Sequence, residues 1–204
     1  MGSFLDKPKT EKHESNGSNP ETQIRYGMSA MQGWRIDMED AHTLVSSLPV
    51  NAMKSWSFFA VYDGHAGAKV SAEVSTRLLN SILDQDYFKN TLANDENMCT
   101  ECTYDEELFR NAIKNAFLEL DAKMMEEDLS SGTTVVCLLI TPKHLWFLNC
   151  GDSRAIHVRR GPKKENKDEH PIHAEYAASK GSDEVEEPTQ VKPPVIGKTD
   201  ENRG

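Results

Sequence analysis

Long apolar runs, basic charge and cysteine are all scarce in this chain. No apolar run approaches the roughly 18 residues that a membrane-spanning helix needs. Met1 and Gly2 lead into charged residues, not into the basic end and apolar stretch of a secretory signal. Lysine and arginine number 23 against 33 aspartates and glutamates, for a formal net charge of −10. A surface that binds nucleic-acid phosphates has to be basic, so this balance argues against a nucleic-acid partner. There are four cysteines: Cys99, Cys102, Cys137 and Cys150. Cys99-Thr100-Glu101-Cys102 has the spacing of half a zinc site or a redox pair. Zinc takes four ligands, however, and the other two cysteines lie in apolar, strand-like runs. They read as reduced loop and core thiols, as expected of a cytoplasmic or nuclear protein. Apolar residues make up 37% of the chain and its mean hydropathy is −0.62, but the polar residues gather at the two ends. The middle retains enough apolar sequence for one core.

Residues 1–22 are charged and rich in Ser, Asn, Gly and Pro, which reads as a mobile lead-in. Ile24, Tyr26 and Met28 then alternate with polar or small residues, the period of a half-buried strand. A second strand is expected over 41–47. Residues 56–62 are apolar on both parities except Ser57, so this strand is expected to be covered on both faces. Val70, Val74, Leu78, Leu79, Ile82 and Leu83 recur at helical spacing, which predicts a helix over 66–83. Residues 84–102 read as a polar surface loop. Thr103 and Glu106 have capping-box spacing ahead of a second helix with the stripe Leu108, Phe109, Ala112, Ile113, Ala116, Phe117 and Leu120. After Gly132, the β-branched run 133–140 predicts a buried strand, and 145–149 returns as its hairpin partner. Residues 150–154 form a tight polar connection and 155–158 a further short strand. From 161 to 204 the chain reads as a disordered polar tail.

Three polar clusters border the expected sheet: residues 33–40, residues 63–65 and residues 151–154. If they share one rim, the chemistry is coherent. Mg²⁺ and Mn²⁺ take oxygen ligands and keep several waters, so one or two carboxylates per ion suffice. Asp63 has two oxygens with which to bridge two ions, and Gly64 lets its own carbonyl approach a cation. The guanidinium fork of Arg35 suits a phosphate, and His65 can protonate a leaving oxygen. Plainer readings remain open. Asp-Gly is a common turn pair. Arg35 near Glu39 and Asp40, and Glu73 near Arg77, are also arranged as surface ion pairs of small energetic worth.

The stretch 25–42, Arg-Tyr-Gly-Met-Ser-Ala-Met-Gln-Gly-Trp-Arg-Ile-Asp-Met-Glu-Asp-Ala-His, resembles the opening of the metal-dependent PPM-type protein phosphatases, the 2C class. Phe-Phe-Ala-Val-Tyr-Asp-Gly-His-Ala at 58–66 resembles the signature of that family. Ser-Gly-Thr-Thr at 131–134 and Asn-Cys-Gly-Asp-Ser-Arg at 149–154 resemble two later motifs in the correct order. The start, Met-Gly-Ser-Phe-Leu-Asp-Lys-Pro-Lys, is similar to the animal alpha/beta subgroup. The resemblance implies an α+β fold, the PPM-type α-β-β-α sandwich of antiparallel sheets flanked by helices. It implies hydrolysis of phosphoserine and phosphothreonine in proteins by a metal-activated water at a two-metal Mg²⁺ or Mn²⁺ centre, without a phosphoenzyme. By position, Asp63 is then the bridging metal ligand and Gly64 a backbone-carbonyl ligand. Glu39 and Asp40 hold metal-bound waters, and Asp152 joins an outer metal site. Arg35 binds the substrate phosphate and His65 is the general acid.

The resemblance covers residues 26–160 and then stops. The strands and aspartate motifs that complete the family's metal centre are not found after Arg160. The fold is therefore expected to be incomplete, with 23–160 as the front part of the phosphatase domain and weak or no activity. A non-catalytic fragment that binds phosphoproteins or partners is the alternative. The subgroup includes N-myristoylated members, which makes Gly2 a candidate acceptor, although position six carries Asp6 where the general pattern has Ser or Thr. One such chain gives weak, reversible membrane attachment. The expected protein is a monomer with phosphoprotein substrates, cytoplasmic, with a nuclear or membrane-associated share.

Overall fold

The computed structural model describes residues 4–98, 100–127 and 130–158. The chain divides into two units, Met1–Ser153 and Arg154–Gly204. Of the second unit only 154–158 are described, and they are exposed. The expected strand at 155–158 does not form, since 155–157 have no regular structure. The expected polar tail lies outside the described residues.

In the first unit, β1 (Phe4–Ser18) pairs antiparallel with β2 (Arg25–Arg35) as a two-stranded ribbon. The mobile lead-in expected up to residue 22 is thus largely a strand. Its polar sequence shows no alternation because nearly all of its residues stay exposed or half-exposed. A four-stranded antiparallel sheet has the order β3 (Ala41–Val45), β4 (Ser57–Tyr62), β7 (Val135–Ile140) and β8 (Leu145–Cys150). Two short strands, β5 (Gly64–His65) and β6 (Gly132–Thr133), pair beside it. The expected strand over 133–140 is therefore split at Thr134. Its N–H leaves the main ladder and donates to the carbonyl of Asp63 at 2.9 Å.

Alternation along the strands places the core. Phe58, Ala60 and Tyr62 on β4 share a face with Cys137 and Leu139 on β7, and all are buried. Helices α1 (Lys69–Leu83) and α2 (Glu106–Glu126) close that face with Val74, Leu78, Ile82, Phe109, Ile113 and Ala116. Phe109 joins the layers, with its ring centroid 6.2 Å from that of Trp56 and 4.7 Å from that of Trp146. Side chains of this size contribute roughly 1.5–3 kcal/mol each when fully buried. Arg77 on α1 reaches Glu73 at 3.7 Å, the expected pair, and also bonds Glu127 through both carboxylate oxygens.

The opposite face of β4 is not fully covered, contrary to the reading of residues 56–62. Val61 is 50% exposed, and Leu145 and Phe147 on β8 are each 45% exposed. Tyr26 on the ribbon packs against Phe59, with centroids 5.1 Å apart. Residues 84–102 are not simply a polar loop either. Short helical turns at Tyr87–Thr91 and Leu92–Asn94 bury Phe88 and Leu92, and Met98 follows them into the core. Isolated apolar residues separated by polar ones carry no period, so the sequence pattern does not reveal them. Asp105, not Thr103, caps α2, accepting from the N–H groups of Glu107 and Leu108 at 2.9 Å.

Asn19 fastens the ribbon to the sheet. Its side chain is buried, and the amide nitrogen lies within reach of the carbonyls of Ser46, Lys54 and Trp56 and of the Ser57 hydroxyl. Its own carbonyl oxygen accepts from the N–H of Glu21 at 2.8 Å. The carbonyls of Ser46, Lys54 and Trp56 keep other donors in the Ser57 hydroxyl, the Ser47 hydroxyl and the Leu48 N–H. Asn19→Ala therefore removes the tie without orphaning them and is expected to cost about 1 kcal/mol. A urea titration reads this as a lower midpoint at constant slope; an unchanged midpoint would show that other contacts hold the turn.

Candidate active site

The end of β4 and the segment after β2 meet because position 64 carries no side chain. A Cβ at Gly64 would collide with the carbonyl of Glu39 and lie 2.8 Å from the hydroxyl of Ser71. That hydroxyl donates to the Glu39 carbonyl, and Glu39 Oε1 accepts from the N–H of Gly67 at 2.6 Å. The connection from β5 to α1 turns sharply, with φ of 56° at Ala66 and 119° at Gly67. A positive φ at a non-glycine residue stores backbone strain of the kind concentrated at functional sites.

The result is a cavity of about 180 Å³ lined by Met31, Gln32, Arg35, Asp37, Met38, Glu39, Asp40, Asp63 and Gly64. The first two polar clusters of the sequence therefore converge. Gln32, which no sequence signal marks, donates from its amide to the carbonyls of Arg35 (2.9 Å) and Ile36 (2.6 Å), closing the segment after β2. Ser71 was legible only as a polar residue on the apolar side of α1.

Asp40 is held above the usual carboxylate range. Partial burial is the main cause, followed by the charge of Asp63; Arg35 opposes the shift, while Glu39 and a hydrogen bond to Asp63 add to it. Arg35 approaches Glu39 at 4.0 Å with its side chain 65% exposed, a loose pair that leaves most of its donors free to meet an anion.

His65 and Asp152 are not among the residues lining the cavity. His65 is exposed and pairs with Gly132 across β5–β6. Asp152 is also exposed, but its neighbours are tied towards the site. The Ser153 hydroxyl is 2.6 Å from that of Thr134, whose N–H bonds the Asp63 carbonyl. The third cluster thus reaches Asp63 through Thr134. Gly2 and Cys99 lie outside the described residues, Cys102 and Cys137 are buried, and Cys150 is half-buried. Among the described residues, no helix is long and apolar enough to cross a membrane.

Among the described residues, no three His, Cys, Asp or Glu side chains are gathered closely enough to hold a metal ion. The donor chemistry nonetheless suits a hard cation. Asp40 and Asp63 are two carboxylates within hydrogen-bonding distance on one cavity, with the backbone of Gly64 beside them. An ion that keeps most of its waters needs no more than one or two such groups.

The family profile of protein phosphatase 2C matches residues 24–175, past Arg160, where the resemblance was expected to stop. This chain belongs to the protein phosphatase 2C family. It is 46% identical to protein phosphatase 1B of Homo sapiens over 167 residues, covering 79% of this chain and 33% of that protein. It is 46% identical to protein phosphatase 1A of Homo sapiens over 165 residues, covering 78% and 40%. The chain spans between a third and two fifths of the length of these relatives. Against the serine-threonine phosphatase 2C from Toxoplasma gondii the TM-score is 0.39 at 16% identity, covering 73% of this chain and 53% of that one, which adds nothing to the assignment. The mixture of helices and antiparallel sheets is the α+β class expected of the 2C family.

The raised pKa of Asp40 has a consequence for stability. A carboxyl that holds its proton more tightly when folded stabilises the fold below the ordinary carboxylate pKa. That contribution is lost as pH rises through the raised value. In EDTA, Asp40→Asn should therefore melt at a higher temperature than the parent at pH 7, with the difference shrinking towards pH 4. A variant that melts lower at pH 7 would show that the charge of Asp40 is favourable in the metal-free fold.

Proposed function

We propose that this chain carries the front of a phosphoprotein phosphatase site and hydrolyses phosphoserine and phosphothreonine with Mg²⁺ or Mn²⁺. The observation that supports this most directly is the shared cavity of Asp40, Asp63 and Arg35. Asp63 and the Gly64 carbonyl would hold the cations, with Glu39 and Asp40 acting through water and Asp152 at an outer position. Bound there, the ions supply charge neutralisation and an acidified water.

The other roles belong to the chain's own side chains. Arg35 binds and orients the phosphoryl oxygens with its planar fork. Water supplies the oxygen of the new P–O bond and loses a proton to solvent. The P–O bond to serine or threonine breaks, and His65 gives its proton to the leaving oxygen.

A second reading, a non-catalytic phosphoprotein binder, is favoured by the lack of a three-ligand group among the described residues. One experiment separates the two: Mn²⁺ or Mg²⁺ titrated into the EDTA-treated chain with a phosphothreonine peptide. The phosphatase reading expects metal-dependent phosphate release that drops about a hundredfold or more in Asp63→Asn. Peptide binding without release, lost in Arg35→Ala, establishes the second reading. Neither binding nor release ends both.

We also place the protein in the cytoplasm as a monomer, with a nuclear or membrane-associated share and Gly2 as a myristoyl acceptor. The support is the likeness of the first nine residues to the animal alpha/beta subgroup. Intact mass of the chain made in animal cells should show the acyl addition, absent in Gly2→Ala; an unmodified parent would remove the proposal.

A further inference from the structure

The motif Ser131-Gly132-Thr133-Thr134 does no chemistry in the reading above, yet it touches the Asp63–Gly67 connection along its length. Ala68 stands at the N-cap of α1 and makes no side-chain capping bond. Ser131 stands in from a distance, its hydroxyl accepting the N–H of Val70 at 3.0 Å. At the other end, the N–H of Thr134 donates to the Asp63 carbonyl at 2.9 Å. Between them, Gly64 pairs with Thr133 and His65 with Gly132. The imidazole of His65 occupies the space a side chain at 132 would fill. A Cβ there would lie 2.5 Å from Nε2 and 2.7 Å from Cε1. No positive φ is found at Gly132, so an alanine suits its backbone.

We propose that residues 131–134 form the positioning element of the site, and that the bare Cα of Gly132 sets the His65 imidazole. The proposal rests on the phosphatase reading, in which His65 protonates the leaving oxygen. Gly132 is a positioning residue: it acts through His65 and does not meet substrate. Ser131 and Thr134 fix the ends of the connection, so the ring is placed by a seat on one side and a held backbone on the other. Adding one methyl group at 132 meets only the far end of a movable side chain. The ring is displaced while the fold is kept.

The test uses the full chain as parent, Gly132→Ala, His65→Gln and the double variant, with p-nitrophenyl phosphate and phenyl phosphate as probes. The nitrophenolate leaves without help, whereas phenolate needs a proton, so a misplaced acid is felt mainly on the second. Gly132→Ala should lower kcat for phenyl phosphate by about tenfold to a hundredfold with KM little changed. For p-nitrophenyl phosphate the loss should stay within about threefold. In the His65→Gln background the same alanine should add nothing. Equal losses on both probes, or full additivity, would overturn the proposal. A readout independent of turnover accompanies these. In the parent, NMR should show an Overhauser contact between His65 Hε1 and Gly132 Hα, and the ring signals should move in Gly132→Ala. If the parent turns over neither probe, the phosphatase reading fails. The seat of His65 then stands on that contact and falls with its absence.

Discussion

The close approach of Gly64 to the backbone of Glu39 is the constraint on which the site depends. Any side chain at 64 would enter the Glu39 carbonyl, and the neighbouring contacts assume that it does not. The Ser71 hydroxyl bonds that same carbonyl from α1, and the Glu39 carboxylate bonds the Gly67 N–H just ahead of the helix. With the two backbones in contact, the next residue along one and the previous residue along the other, Asp40 and Asp63, come within hydrogen-bonding reach. A glycine here is therefore needed for packing before any question of ligand geometry arises. That is a stronger requirement than the turn propensity of an Asp-Gly pair.

The same contact explains why the sheet and helices are needed. Asp63 sits one residue beyond β4, whose inner face, Phe58, Ala60 and Tyr62, is fixed by the apolar core. Its position is thus inherited from side chains whose burial stabilises the whole unit. Arg35 closes the ribbon, and the ribbon is fastened to the sheet at Asn19 and packed on it through Tyr26 and Phe59. The two halves of the cavity are carried by different pieces of the fold, one held by hydrophobic burial and one by a buried amide.

Features with a period or a breaker were legible in the sequence. The stripe of α2 and the α1 spacing follow from helical periodicity, and the β7–β8 hairpin and the Asp-Gly-His delivery from apolar runs bounded by turn residues. What escaped has no such signal. β1 is polar on both parities, and its pairing to β2 comes from backbone groups that every residue carries. Phe88, Leu92 and Met98 are buried through tertiary contacts among polar neighbours. The α2 cap fell on Asp105 rather than Thr103 because Asp105 is the last extended residue, with φ −73° and ψ 115°. Of the three polar clusters, spacing alone showed that each ends or begins a strand. That the first two share a cavity, while the third reaches Asp63 only through Thr134, is a matter of three-dimensional register.

Charge in the cavity bears directly on what can occupy it. Asp37, Glu39, Asp40 and Asp63 face it with Arg35 as the one basic residue among its lining, a formal charge of −3 with all groups ionised. A phosphoryl group is itself an anion. Near a protein surface, two like charges 4 Å apart repel by about 4 kcal/mol. One exposed guanidinium offsets a single carboxylate and leaves the others opposing the substrate. Protonating Asp40, the direction in which its environment pushes it, relieves part of that repulsion but removes an oxygen donor. A divalent cation would relieve more and keep the donor, so on the proposed reading this acidic lining would take an anionic substrate together with metal. On the proposed phosphatase reading, Coulomb repulsion in this cavity is a physical reason for the divalent-cation dependence that is general to the 2C family.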